Sequence, residues 1–130
     1  MQPSELDELI SRRRAVFPKS YIIGREIPQE IIEQMLENAN YAPTHRLTEP
    51  WRFRIFRWDA RQRLADFLTD DYRNSTPLAE QSDMKIQKMA DNPLRSACVV
   101  AICLKAHADL LPEWEEIAAV SMAVQNMWLT

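Results

Sequence analysis

Glycine is almost missing from this sequence: Gly24 is the one glycine in 130 residues, against a usual share of about 7%. That scarcity excludes a G-x-G-x-x-G dinucleotide fingerprint and a Walker P-loop, because both need several glycines where backbone meets phosphate. Any bound phosphate must therefore be held by side chains. Cysteine is scarce as well. Cys98 and Cys103 stand five apart in an apolar run, so on a strand they point to opposite faces and cannot pair. They are expected to be reduced, buried packing residues.

His45 and His107 are the two histidines, neither beside a cysteine, and no H-E-x-x-H or C-x-x-C occurs. No metal site is expected. The G-x-S-x-G elbow of Ser/His/Asp hydrolases is also absent. No run approaches the ~20 apolar residues of a membrane span, and the start, MQPSELDELI, is acidic, unlike a signal peptide. A cytoplasmic protein without a membrane partner is expected. The net charge of -3 gives no general attraction to nucleic acid, so any basic site must be local.

What is present suits one soluble domain, with 46% apolar and 27% charged residues. Residues 4–14 read as a helix capped by Ser4, with Arg12, Arg13 and Arg14 in its last turn. Pro18 stops it, and 19–26 reads as a loop. A second helix opens at Pro28 and keeps apolar residues at helical spacing up to Pro43. Trp51, Phe53 and Ile55 then alternate with Arg52 and Arg54, the pattern of a strand with one buried face. Asp59 is expected to cap a helix whose Leu64, Phe67, Leu68 and Tyr72 share a face.

Residues 74–93 are polar, with a short mobile helix expected around 84–90. The run Ala97 to Leu104 reads as a strand covered on both faces. Pro112 and Glu113 start a last helix, with Trp114, Ile117, Ala118, Ser121, Val124, Gln125 and Trp128 spaced three or four apart. It is apolar around most of its circumference, as expected of a helix buried between layers or against a second subunit. The pattern stops at Thr130 without a C-cap signal. A single domain over 1–130 is therefore expected, lacking the C-terminal segment of a longer protein.

Two segments carry the chemistry. One is Ser11-Arg12-Arg13-Arg14-Ala15-Val16. The other is Ala42-Pro43-Thr44-His45-Arg46-Leu47-Thr48-Glu49-Pro50-Trp51-Arg52-Phe53, a polar insertion between prolines. By itself the arginine triplet either satisfies a helix C-terminus or presents bidentate forks to a phosphate. With Pro28 to Pro43 between them, the segments resemble the nitroreductase family of flavin enzymes. In that family R-R-S precedes a P-x-E helix ending in A-P, and a polar stretch then ends in Q-P-W-x-F.

The resemblance implies an α+β fold, a nitroreductase-like central sheet flanked by helices, paired as a homodimer with flavin at the interface. It implies FMN as cofactor and NAD(P)H as electron donor, in a ping-pong reduction of a nitroaromatic, quinone or similar small electrophile. Arg13, Arg14, Ala15, His45 and Glu49 are the implied cofactor contacts, with His45 and Glu49 reaching a flavin held by the partner's arginines. No side chain is given a catalytic role, since the flavin does the chemistry. Ala15 replaces the pattern's serine and loses a hydroxyl. Glu49 replaces its glutamine and can only accept hydrogen bonds. A non-catalytic flavin-binding or dimerisation module of the same fold is the alternative, and the apolar run 97–104 argues against a purely helical interaction protein.

Overall fold

The first helix begins where Ser4 and Asp7 cap each other. Ser4 Oγ accepts the Asp7 amide at 3.1 Å and the Asp7 carboxylate accepts the Ser4 amide at 2.9 Å, a reciprocal capping box. In the computed structural model, which describes residues 4–130, this helix is α1, Glu5–Arg12. It ends earlier than its pattern suggests. Arg12 alone of the triplet lies in the last turn, paired with Glu8 at 2.6 Å. Arg13 leaves the helix with ψ of 129°, and Arg14 folds back to donate to the Ser11 and Arg13 carbonyls, each at 2.8 Å.

The other elements are α2 (Gln29–Asn40), β1 (Trp51–Phe56), α3 (Asp59–Ser75), α4 (Asp83–Arg95), β2 (Val99–Leu104) and α5 (Glu113–Leu129). The fold is α+β, with β1 and β2 paired in one two-stranded sheet. The Lys105 amide donates to the Pro50 carbonyl at 2.8 Å, which sets the end of β2 beside the start of β1, as in an antiparallel pair. Among the described residues no helix is long and apolar enough to cross a membrane.

The chain divides into two compact units. One comprises the chain up to Ala15, Pro28–Phe53 and Ile102–Thr130. Here α2 packs on α5, and the contact is made by small residues. Ala39 and Ala123 are fully buried, with Ile32, Val120 and Met127 around them, so the two backbones approach closely. Trp51 is buried with its indole N–H donating to Asn40 Oδ1 at 2.9 Å, which fixes the entry to β1.

The buried face of α5 is the reverse of the one expected from its spacing. Glu116, Ala119, Val120, Ala123 and Met127 point inward, while Trp114, Ile117 and Trp128 are each at least half exposed. Small residues win the inner face because α2 lies against them, and the large apolar ones are left outside. Such a face on one chain is the kind that self-association covers.

The other unit comprises Val16–Ile27 and Arg54–Ala101, with α3 packed on α4. In place of a short helix around 84–90, the 13-residue α4 runs from Asp83 to Arg95, through the buried Pro93. Pro93 lies near the C-terminal end, where its missing N–H disturbs least of the ladder. Asp59 is the first residue of α3 and not its cap; Trp58 stands there with φ of 47° and makes no side-chain cap bond. Ala65 and Thr69 take the buried face of α3, and Phe67 is 64% exposed. Thr69 satisfies its hydroxyl on the Ala65 carbonyl at 2.8 Å.

β2 is not covered on both faces within this chain, because Ile102 and Cys103 are exposed. Cys103 is thus not the buried packing residue expected. Cys98 is half-buried, and burial pushes its thiol up against the opposing charges of Arg57 and Arg61, which favours the thiol over the thiolate.

The lone glycine falls where the backbone needs it. Gly24 has φ of +78° as the third residue of a turn closed by the Arg25 amide on the Ile22 carbonyl at 3.3 Å, the geometry a type II turn reserves for glycine. A Cβ there would meet nothing within 4 Å, so the penalty is conformational alone. Gly24→Ala is expected to cost about 1–2 kcal/mol, read as a lowered urea midpoint with unchanged slope. An unchanged midpoint would show that the turn carries no strain.

Candidate functional site

The polar insertion between Pro43 and Pro50 folds into a short 3-10 turn, His45–Leu47, that rests against α5. Its backbone is held in an unusual shape. Arg46, Leu47 and Glu49 have φ of 53°, 54° and 42°, the left-handed region that costs a non-glycine residue about 1 kcal/mol or more. Three such residues in four persist only if the surroundings over-determine them.

The surroundings do so from both ends. Thr44 Oγ1 accepts the Glu49 amide at 3.2 Å and lies 3.2 Å from Thr48 Oγ1. Thr48 Oγ1 in turn donates to the His45 carbonyl at 3.4 Å. A carbonyl only accepts, so the Thr48 proton is committed to His45 and Thr44 is the donor between the hydroxyls. Pro50, fully buried, closes the loop.

Glu116 stands at the start of α5, where the loop rests. Only 1% exposed, it accepts the His107 amide on Oε2 and His107 Nδ1–H on Oε1, both at 2.7 Å. The amide bond is the largest influence holding its carboxyl below the usual carboxylate range, and burial works against it. One residue earlier, Glu115 Oε2 accepts from His45 Nδ1 at 2.7 Å. That bond sets the His45 tautomer, with the proton on Nδ1 and the lone pair on Nε2.

Each residue singled out in the sequence has a definite place. His45 and Glu49 lie on the strained loop, both exposed. Arg13, Arg14 and Ala15 follow α1 on an exposed extended segment. The Arg13 guanidinium sits 4.6 Å from the centre of the Trp128 ring, and Arg12, Arg13, Arg14 and Trp128 border a hollow of about 200 Å³. Among the described residues neither Arg13 nor Arg14 has a carboxylate partner, whereas Arg12 is taken by Glu8.

The two groups are not together. His45 is tied to Glu115 at the start of α5 and Arg13 to Trp128 at its end, 13 residues apart, roughly 20 Å along a helix. One chain therefore carries both halves of the expected site at opposite ends of one helix.

Glu115, Glu116, Thr48 and His107 did not emerge from the sequence. Glu113, Glu115 and Glu116 look like ordinary acids in a helix's first turn. The signal that separates Glu116 is its phase, three, four and seven residues before Ala119, Val120 and Ala123, all buried.

An α+β chain with a braced loop and a carboxylate-free pair of arginines has the parts of a site in which side chains, not a glycine loop, hold a cofactor. The chain belongs to the nitroreductase family, whose model matches residues 10–130. It is 27% identical over 129 residues to YfhC of Bacillus subtilis (strain 168), which bears the provisional name NAD(P)H nitroreductase; the match covers 98% of this chain and 64% of that protein.

Among solved structures, a nitroreductase-like family protein from Bacillus cereus superimposes with a TM-score of 0.80 at 20% identity, covering 99% of this chain and 65% of that one. The FMN-dependent nitroreductase NfnB from Mycobacterium smegmatis, crystallised with NADPH, gives 0.69 at 19% identity, covering 95% and 68%. The chain thus spans just under two thirds of the first two of these proteins.

Proposed function

We propose that this chain is the flavin-holding part of a homodimeric, FMN-dependent oxidoreductase that uses NAD(P)H to reduce nitroaromatic, quinone or related electrophiles. The observation that carries the reading is the pair Arg13 and Arg14, neither of which is spent on a carboxylate among the described residues, with the Arg13 guanidinium beside the Trp128 ring. Their forks suit a dianionic phosphate, for which no glycine-rich loop is available here.

The residues fit FMN in kind. Arg13 and Arg14 would hold the phosphate, the Ala15 backbone amide would remain a donor, and Glu49 would accept from the flavin N3–H or the ribityl hydroxyls. His45, held by Glu115, would present Nε2 as an acceptor. Bound FMN would supply the redox chemistry, taking electrons from the reduced nicotinamide and passing them to the acceptor. The chain's own share is binding, orientation and exclusion of water, so no side chain needs a catalytic role.

A dimer accounts for the separation of the two halves. The outward face of α5, Trp114, Ile117 and Trp128, runs between them. A two-fold pairing through such a face sets one end of a helix near the other end of its mate, bringing His45 and Glu49 of one subunit toward the arginines of its partner.

The test is a spectrum of the full chain with added FMN, followed by NADH or NADPH under anaerobic conditions. A bound flavin band that bleaches with the nicotinamide is expected. A protein that takes up no flavin overturns the proposal, and bound flavin that neither nucleotide bleaches supports a non-catalytic module of the same fold.

A further inference from the structure

A second cluster of arginines lies wholly in the unit formed by Val16–Ile27 and Arg54–Ala101. Arg25, Arg57, Arg61 and Arg95 line a hollow of about 70 Å³, with Glu26 as the one carboxylate on its wall. That is several times the ~10–15 Å³ a single water needs and too small for a nucleotide ring.

Three of the four guanidinium groups are fixed by backbone carbonyls. Arg57 Nη2 donates to Ile27 O at 2.7 Å and its guanidinium stacks 4.4 Å from the Trp58 ring centre. Arg61 donates from Nε to Trp58 O at 3.3 Å and from Nη1 to Ser96 O. Arg95 donates from Nε to Pro18 O at 3.0 Å. These bonds orient the forks without neutralising them, since a carbonyl carries no net charge. Arg61 keeps Nη2, and Arg95 keeps Nη1.

Arg25 is different. It makes no side-chain hydrogen bond or ion pair among the described residues, and the Gly24 turn delivers it to the rim. The carbonyls of Leu94 and Ser96, at and just past the end of α4, accept from Arg61 and are not left to repel an anion. Four cations facing one carboxylate repel one another, and a bound anion would relieve that repulsion.

We infer that this hollow is a binding site for a small tetrahedral oxyanion of the phosphate class, either free or as the terminal phosphate of a larger ester. The uncommitted fork of Arg25 can meet two such oxygens bidentately, and Arg61 Nη2 and Arg95 Nη1 add single donors. Its residues are separate from Arg13 and Arg14, so it stands independently of the flavin proposal.

The experiment is calorimetric titration of the full chain with inorganic phosphate, and in a second arm with adenosine 2′-monophosphate, each at constant ionic strength set with chloride. Binding is expected in the wild type, weakened about tenfold or more in Arg25→Gln, tightened a few-fold in Glu26→Gln, and the weakening by Arg25→Gln is expected to persist when Arg13→Ala is also present. Tighter binding of the nucleotide than of phosphate would identify the ester as the source, and equal binding the free anion. No binding above the chloride control overturns the inference. So does loss in Arg13→Ala with retention in Arg25→Gln, which would put the anion in the flavin cluster. Arg25 holds no element in place, and circular dichroism of Arg25→Gln checks that its fold is intact.

Discussion

Replacing Glu116 with alanine is expected to lower the melting temperature by on the order of 10 °C. The carboxylate is buried and has two donors pointed at it: the His107 amide and His107 Nδ1–H. Removing it strands both, and an unsatisfied buried donor costs more than the bond it made was worth.

The isosteric change Glu116→Gln separates charge from shape. The folded carboxyl is held below its ordinary value of 4.5, chiefly by the His107 amide. A depressed pKa means that the unfolded chain takes up its proton first as the pH falls. The charge's contribution is therefore complete above that ordinary value and is lost as pH falls through the lowered folded one. Wild-type stability should fall towards that of Glu116→Gln as acid is added, the two melting curves converging once the pH is below that lowered folded value. Curves that stay parallel from neutral pH down to there would show that the carboxylate's charge contributes nothing to folding.

The order of elements was readable because local signals agreed with one another. Ser4 and Asp7 cap α1 as the first turn suggests, and the alternation of Trp51 to Ile55 gave a strand with Arg52 and Arg54 outward. The failures have one origin. Spacing reveals which residues share a helix face but not which face a neighbour will cover, and on α5 both faces are apolar. The inner one went to Ala119 and Ala123 because α2 must come close, and the indoles of Trp114 and Trp128 were left outside.

The site followed the same rule. The loop 44–49 stood out through its prolines and polar residues, whereas its supports did not. Glu115 and Glu116 are separated from the loop by about 70 residues of sequence, and nothing local distinguishes an acid at a helix start from an acid that braces a distant turn. The Arg25, Arg57, Arg61 and Arg95 cluster was equally hidden, since the four lie on three stretches of chain, Arg57 and Arg61 sharing one, that only folding assembles.

Arg13→Ala combined with Arg14→Ala is expected to weaken FMN binding by about 100-fold or more, because a hydrogen bond to a charged group is worth about 1.5–3 kcal/mol and two are removed. Riboflavin, which lacks the phosphate, should bind the wild type and this variant almost equally. A matching loss for both flavins would mean that the arginines act on the fold or on the ring, and the phosphate assignment would fail. The roughly 20 Å between Arg13 and His45 along α5 adds a sharper test. If each flavin takes its arginines from one subunit and its histidine from the other, the double arginine variant and a His45→Ala, Glu49→Ala variant should complement. Each homodimer has two damaged sites, but the mixed dimer places all four changes in one site and leaves the other intact. Mixing the two proteins after brief subunit exchange should then restore flavin binding to about one site per mixed dimer, counted by flavin absorbance on the heterodimer isolated through two affinity tags. No recovery in that heterodimer would mean that both halves serve the same subunit's flavin, and the site would have to close within one chain.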